Sequence, residues 1–318
     1  MSEHRSPDFS SIVDSLTPER RALLMMQLRK ENGQRLDLPL VGINTRGTRR
    51  PFFCVHSEGG GTYFYAPLSH YLGVDQPFYA LQARGLEADG LPHTSIPEMA
   101  TYYIQAIRRL QPHGPYMIGG WCLGGIIAFE MAHQLLVQGE STVLLALMDA
   151  SAPPYPFEAY DMTMAISSFL GLAHAFIGQG SSRSHALPDD LKEEEQLRYL
   201  SEQLKQFDRN ELRKFNSVVP EMGLDALRKI LHVYESNAKA VQGYTPPLYP
   251  DRVTYFKAVD PTPFSDTTHY VDFWRQQTTQ PLEVQFVPGH HMSFLQDPTV
   301  EYMAMQLRKC IDQAITGP

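Results

Sequence analysis

The run Tyr116-Met117-Ile118-Gly119-Gly120-Trp121-Cys122-Leu123-Gly124-Gly125 constrains this chain more than any other stretch. It reads as an apolar strand, a hard turn and the start of a helix. Glycine stands two residues before and two after Cys122, the spacing of a nucleophile elbow, in which a reactive side chain is held on a strained strand-to-helix turn at a sheet edge. The glycines provide room: a larger side chain at Gly120 or Gly124 would push the helix off the strand. Serine is the usual occupant of the centre; here it is cysteine. Segment 126–138 then carries Phe129, Met131, Ala132, Leu135 and Leu136 at helical spacing and stops at Gly139, a helix C-terminal signal. A helix so placed aims its free amides and positive dipole end at Cys122, favouring a thiolate and, later, an oxyanion. The plainer reading of a cysteine in an apolar stretch is a small buried hydrophobe. Against it stand the legible strand and helix on either side, and partner candidates that follow in the right order.

The remaining composition is ordinary for a globular protein: 318 residues, 43% hydrophobic and 19% charged, enough for one large domain or two small ones. No apolar run reaches the ~18 residues of a membrane span. Met1-Ser2-Glu3-His4-Arg5 leads into no signal-peptide core, so a cytoplasmic protein without membrane contact is expected. Cys54, Cys122 and Cys310 are odd in number and lack metal-ligand spacing, which suggests neither a disulfide framework nor a zinc site. A formal net charge of −8 argues against nucleic acid as a partner.

Residues 1–37 read as a polar linker with one helix, capped at Thr17-Pro18 and ending near Glu31. The main domain is expected over 38–318. Segments 38–44 and 52–56 read as strands joined by a turn at Gly47, 78–82 as a third strand, and 96–110 as a helix with Met99, Tyr103, Ile107 and Leu110 on one side. After strand 141–149, the proline-rich run Ser151-Ala152-Pro153-Pro154-Tyr155-Pro156 ends the alternation. Helices are expected at 157–176, 190–206, 210–217 and 223–241, with 179–189 as the most flexible connection. They form an insertion of about 153–245 that covers the elbow as a lid. Strands 253–258 and 282–287, a Gly289-His290-His291 turn and a helix over 298–314 complete the chain. The alternation implies an α/β fold with a mostly parallel sheet and helices on both faces.

The second strand runs into His56-Ser57-Glu58-Gly59-Gly60-Gly61. In sites built on an elbow, one oxyanion-binding amide follows the nucleophile, here Leu123, and the other comes from a glycine-bearing loop after an early strand. A phosphate cradle is the alternative for such a loop, but its spacing matches neither nucleotide fingerprint. An ordinary thiol, with a pKa of about 8.5, is only a few per cent thiolate at neutral pH and needs a base. Of twelve histidines, His290 and His291 lie in a loop directly after a late strand, where a side chain can reach back over the strand ends. The acid that orients the imidazole is expected at Asp149, which closes the strand after the elbow helix. Asp260, after strand 253–258, is its rival.

Taken together, Phe52-Phe53-Cys54-Val55-His56 with its glycine loop, the run from Phe78 to Leu86, Ser95-Ile96-Pro97-Glu98-Met99-Ala100, the elbow, Leu147-Met148-Asp149 and Gly289-His290-His291 resemble the thioesterase domains that end nonribosomal peptide synthetases and polyketide synthases. The resemblance covers residues 38 to about 310, with the motifs in the family's order. It implies an α/β-hydrolase fold with a helical lid. The implied substrate is an acyl, aminoacyl or peptidyl chain carried as a thioester on the phosphopantetheine arm of a carrier protein, with no cofactor or metal bound by the chain itself. Position by position, it implies Cys122 as nucleophile, Asp149 as acid and His291 as base, since the family's histidine is the one two after the glycine. Leu123 and Glu58 would give the oxyanion-hole amides. Residues 16–24 also resemble the linkers between domains of such synthetases. Two departures stand out: most members carry serine at position 122, and position 58 is usually small. The Glu58 side chain either points to solvent or faces the pocket and pairs with a substrate ammonium group. The expected activity is release of the chain by hydrolysis or cyclisation in natural-product biosynthesis, antibiotics included. The alternatives are an acyltransferase that shuttles the group between carrier proteins and a non-catalytic docking module.

Overall fold

A computed structural model describes residues 39–86, 90–153, 162–177, 191–206, 223–261 and 269–316. The helices expected in 1–37 and 210–217 and the connection 179–189 lie outside these residues. Seven strands form one sheet: β1 (Leu40–Asn44), β2 (Phe52–Val55), β3 (Phe78–Leu81), β4 (Tyr116–Trp121), β5 (Thr142–Met148), β6 (Thr254–Ala258) and β7 (Glu283–Val287). Their order is β1-β3-β2-β4-β5-β6-β7, parallel throughout except that β1 runs antiparallel to β3. The Gly47 turn therefore joins β1 and β2 without making a hairpin. Both edges of β2 are taken, by β3 and β4, and β1 pairs on the far side of β3.

Eight helices are described: α1 (Ala66–Leu72), α2 (Ile96–Arg108), α3 (Leu123–Val137), α4 (Met162–Ile177), α5 (Glu193–Leu204), α6 (Leu224–Gln242), α7 (Tyr270–Gln276) and α8 (Thr299–Thr316). The two-residue period of the strands sorts their side chains onto two faces. Phe53, Val55, Ile118, Leu145, Leu147 and Tyr255 pack under α2, α3 and α7. Phe52, Cys54, Met117, Ala146, Met148 and Phe256 pack under α1 and α8. Strands β2 and β4 are buried along their whole length, which is why they are apolar without alternation. Helix α3 is apolar on nearly every side because it is itself buried.

Helix α2 starts as its sequence dictates, with Ser95 Oγ accepting from the Glu98 amide at 3.4 Å and Pro97 in the first turn. Met99, Tyr103 and Ile107 are buried, but Leu110 lies beyond the helix end and is exposed. The seven-residue α7 was not expected. It buries one large side chain, Trp274, whose indole donates to the Ala150 carbonyl at 3.2 Å, and one buried residue leaves no periodic signal. Between β5 and β6, helices α4, α5 and α6 share a core of their own that includes Ile166, Phe169, Leu197, Leu200, Leu227 and Leu231. Full burial of such a side chain contributes about 1.5–3 kcal/mol.

Candidate active site

Strand β4 ends at Trp121 and α3 begins at Leu123, so Cys122 makes the turn between them, at φ 56° and ψ −123°. Among the described residues, Cys122 and Asp149 (φ 44°) are the two non-glycine positions with positive φ. Such a conformation costs on the order of 1–3 kcal/mol per residue and persists only where the surroundings enforce it. Here the strand ladders do so. The Cys122 amide donates to the Met148 carbonyl at 3.1 Å, and the Asp149 amide to that of Phe256 at 2.8 Å. Beneath the elbow, the Tyr65 hydroxyl donates to the Val55 carbonyl at 2.6 Å and accepts from the Trp121 amide at 3.0 Å, tying the end of β2 to the end of β4. The glycines allow this approach. A Cβ on Gly120 would overlap the Gly124 backbone, and one on Gly124 would overlap the Val55 carbonyl oxygen.

His291 opens a one-turn 3-10 helix (His291–Ser293) after β7. Its Nδ1 donates to Asp149 Oδ2 at 2.7 Å, and Cys122 is near enough to act on the ring. The Trp121 indole stacks on the imidazole, with centroids 5.0 Å apart and planes 28° apart. His290 does something else: its Nδ1 accepts the Ser293 amide at 3.3 Å and caps the turn. Asp260 is exposed, and its amide donates to the Gly289 carbonyl at 2.9 Å. The carboxylate that meets His291 is that of Asp149.

The Asp149 carboxylate is fully buried, and its Oδ1 accepts the Ala258 amide at 3.2 Å and Lys257 Nζ at 3.3 Å. Burial works to raise its pKa and is the largest influence. It is outweighed by the bond to His291, the charges of His291 and Lys257 and the Ala258 amide, and the pKa settles below its ordinary value. For His291, burial likewise opposes the charged form. The influence of Cys122 and the bond to and charge of Asp149 overcome it and push the pKa up to about 10. Asp149 and Cys122 thus both favour the charged form of the imidazole.

The Leu123 amide is in the first turn of α3, where a helix leaves its N–H groups without intrahelical partners, and it adjoins Cys122. Glu58 lies in the turn after β2. That turn is closed by the Gly60 amide donating to the Ser57 carbonyl at 2.9 Å, and the Glu58 carbonyl accepts Asn237 Nδ2 at 2.7 Å. The same Cβ on Gly124 would also crowd the His56 carbonyl, so this turn abuts the elbow. Cys122, Asp149 and His291 therefore converge at one edge of the sheet, with the Leu123 amide and the Glu58 turn beside them. Sequence reasoning missed Lys257 and Asn237. Lys257 had a signal, a lone charge inside the apolar strand expected at 253–258, whereas Asn237 is one polar residue among many on an amphipathic helix.

Among the described residues no cluster of three His, Cys, Asp or Glu is arranged to hold a metal ion, and no helix is long and apolar enough to cross a membrane.

The sheet order, the elbow and the helices on both faces define an α/β-hydrolase fold. More narrowly, the chain belongs to the thioesterase domain family, whose model matches residues 50–309. It is 48% identical over 113 residues to malpinin synthetase of Mortierella alpina, an alignment covering 36% of this chain and 2% of that protein. Among solved structures it is similar to holo-AB3403, a four-domain nonribosomal peptide synthetase bound to AMP and glycine. The TM-score is 0.73 and the identity 26%, over 92% of this chain and 21% of that one. The Vlm2 thioesterase domain bound with a dodecadepsipeptide shares the fold, with a TM-score of 0.62 and 22% identity over 85% of this chain and 96% of that one. The chain thus spans only a small part of the synthetases it matches.

Proposed function

We propose that this domain takes an acyl, aminoacyl or peptidyl group from the phosphopantetheine thioester of a carrier protein onto Cys122 and releases it by hydrolysis or cyclisation in natural-product biosynthesis. The observation that carries this reading is the 2.7 Å bond from His291 Nδ1 to Asp149, on an imidazole that Cys122 also influences. Family membership and the synthetase relatives support the substrate class. In the first half-reaction the Cys122 thiolate attacks the thioester carbonyl carbon, and the oxyanion is held by the amides of Leu123 and Glu58. Collapse breaks the carbon–sulfur bond to pantetheine. The imidazolium gives its proton to the departing sulfur, leaving acyl-Cys122, a free pantetheine thiol and neutral His291. In the second, His291 takes a proton from water, or from a hydroxyl or amine of the acyl chain, as that group attacks. Cys122 leaves as thiolate and the imidazolium is restored.

Cysteine at the elbow favours a second reading, transfer to another carrier thiol. Passage from pantetheine to cysteine exchanges one thioester for another, so the acyl-enzyme keeps its activation, whereas a serine ester would not. Cys122→Ser separates the two. After loading from an acylated carrier and addition of an empty one, the serine variant is expected to accept the group but deliver it poorly to the second carrier, persisting as an ester or leaking to hydrolysis. A serine variant that matches the native product and rate would remove the energetic reason for cysteine.

A further inference from the structure

Two peptide planes flank Glu58, and each is fixed through its carbonyl oxygen. The Ser57 carbonyl, in the plane that contains the Glu58 N–H, accepts the Gly60 amide at 2.9 Å and meets His56 Nδ1 at 2.7 Å. A carbonyl only accepts, so the proton of neutral His56 is on Nδ1, and Nε2 accepts the Tyr103 hydroxyl at 2.6 Å. Burial holds His56 in this neutral state by pushing its pKa down to about 4. The next plane, between Glu58 and Gly59, is fixed from outside the loop. Its carbonyl oxygen accepts Nδ2 of Asn237, a residue 2% exposed on α6. Asn237 acts within a closely packed contact. A Cβ on Gly59 would meet the Tyr234 ring at 2.9 Å, and one on Gly60 would meet Val233 Cγ1 at 2.7 Å, so α6 lies directly on the glycine turn.

We propose that Asn237 is a positioning residue for the oxyanion hole: by holding the Glu58 carbonyl it ties the turn that carries the Glu58 N–H to α6, and makes α6 a rigid support of the reaction site. The inference rests on the reading that the Glu58 amide binds the oxyanion. The geometric reason is that the Glu58 N–H takes its direction from the 57–58 plane, while its placement against the elbow depends on where the Glu58 α-carbon, shared with the 58–59 plane, is held. With the 57–58 plane held by the body and the 58–59 plane held by α6, neither dihedral of Glu58 is free. Releasing Asn237 unties the turn from α6 and lets the Glu58 α-carbon shift, and an oxyanion donor acts only when held at the developing charge. Through the core that α6 shares with α4 and α5, the same contact couples the packing of the insertion to the oxyanion hole.

The test compares two reactions at one sulfur. Acylation by a butyryl thioester of pantetheine builds an oxyanion; alkylation by iodoacetamide does not. Asn237→Leu removes the donor at similar volume, and Asn237→Gln keeps an amide. The expected result for Asn237→Leu is acylation of Cys122 slowed about 10–100-fold, mostly in kcat, since full loss of one oxyanion donor costs about 10²–10³. Alkylation should stay within about two-fold, and Asn237→Gln should recover most of the loss. Native acylation in Asn237→Leu, or a parallel fall in both reactions, overturns the positioning role. A native protein that is alkylated but never acylated at Cys122 overturns the oxyanion reading, and the role of Asn237 with it.

Discussion

The sheet edge and the helical insertion solve the problem of holding their residues in different ways. At the sheet edge, Cys122 and Asp149 hold strained backbone angles because strand ladders enforce them, and His291 is fixed between Asp149 and the Trp121 ring. In the insertion, α4, α5 and α6 are held by apolar packing among themselves, and α6 meets the body at the glycine turn. Strained, hydrogen-bonded positions cannot shift without breaking ladders, whereas packed helices tolerate repacking. The residues proposed for the proton chemistry thus lie in the rigid region. The insertion meets this edge in two places, α6 at the glycine turn and α4 at the His291–Ser293 turn.

The largest expected effect breaks the rigid side. Asp149→Asn should lower turnover about 10³–10⁴-fold without unfolding the protein, because an acid that holds an imidazole affects rate more than structure. Its pH signature has a definite sign. Asp149 raises the His291 pKa, so removing its charge lowers that pKa. The alkaline limb of acyl-enzyme formation, set in the native protein by loss of the imidazolium proton near pH 10, moves to lower pH. An unmoved limb would mean that Asp149 does not act through His291.

A change of intermediate size tests the packed side. Phe169 is 2% exposed in the insertion core and packs edge-on to Tyr234, with centroids 6.0 Å apart. Phe169→Ala should cost about 3–5 kcal/mol, seen as faster hydrogen exchange in α4 and α6. Iodoacetamide alkylation of Cys122 should change less than about two-fold, and acylation more, because only acylation draws on the oxyanion loop. Equal loss in both would show that the two regions are one mechanical unit.

The smallest effect is at Lys257. The folded pKa of Asp149 is depressed, so this group contributes stability above its unfolded pKa of about 3.9 and loses it as pH falls through the folded value. Lys257 is one of the groups that depress it. Lys257→Met should therefore lower stability at neutral pH and raise the pH of the acid-unfolding midpoint, both followed by circular dichroism. A midpoint that stays put would make the 3.3 Å pair electrostatically idle.

What could be read from the chain follows the same division. The elbow was legible because steric necessity wrote glycine on both sides of Cys122, and the strand-end positions of Asp149 and His291 followed from the order of apolar runs. The choice between Asp149 and Asp260, and between His290 and His291, depends on which side chain turns inward, which no spacing records. The Gly47 turn joins the first two strands but says nothing of their pairing, which is decided by the whole sheet, and β1 lies beyond β3. Lys257 and Asn237 meet partners 108 and 179 residues away, and nothing local in either segment specifies that meeting.

The central claim is that Cys122, activated by His291, carries the acyl group as a thioester. Intact-mass and peptide-mapping measurement after exposure to a butyryl-loaded carrier protein tests it most directly. The account predicts one butyryl group on the Cys122 peptide, released by neutral hydroxylamine, absent in Cys122→Ala, and formed far more slowly in His291→Ala than in His290→Ala. An adduct that persists in Cys122→Ala, or one that depends equally on both histidines, would contradict it.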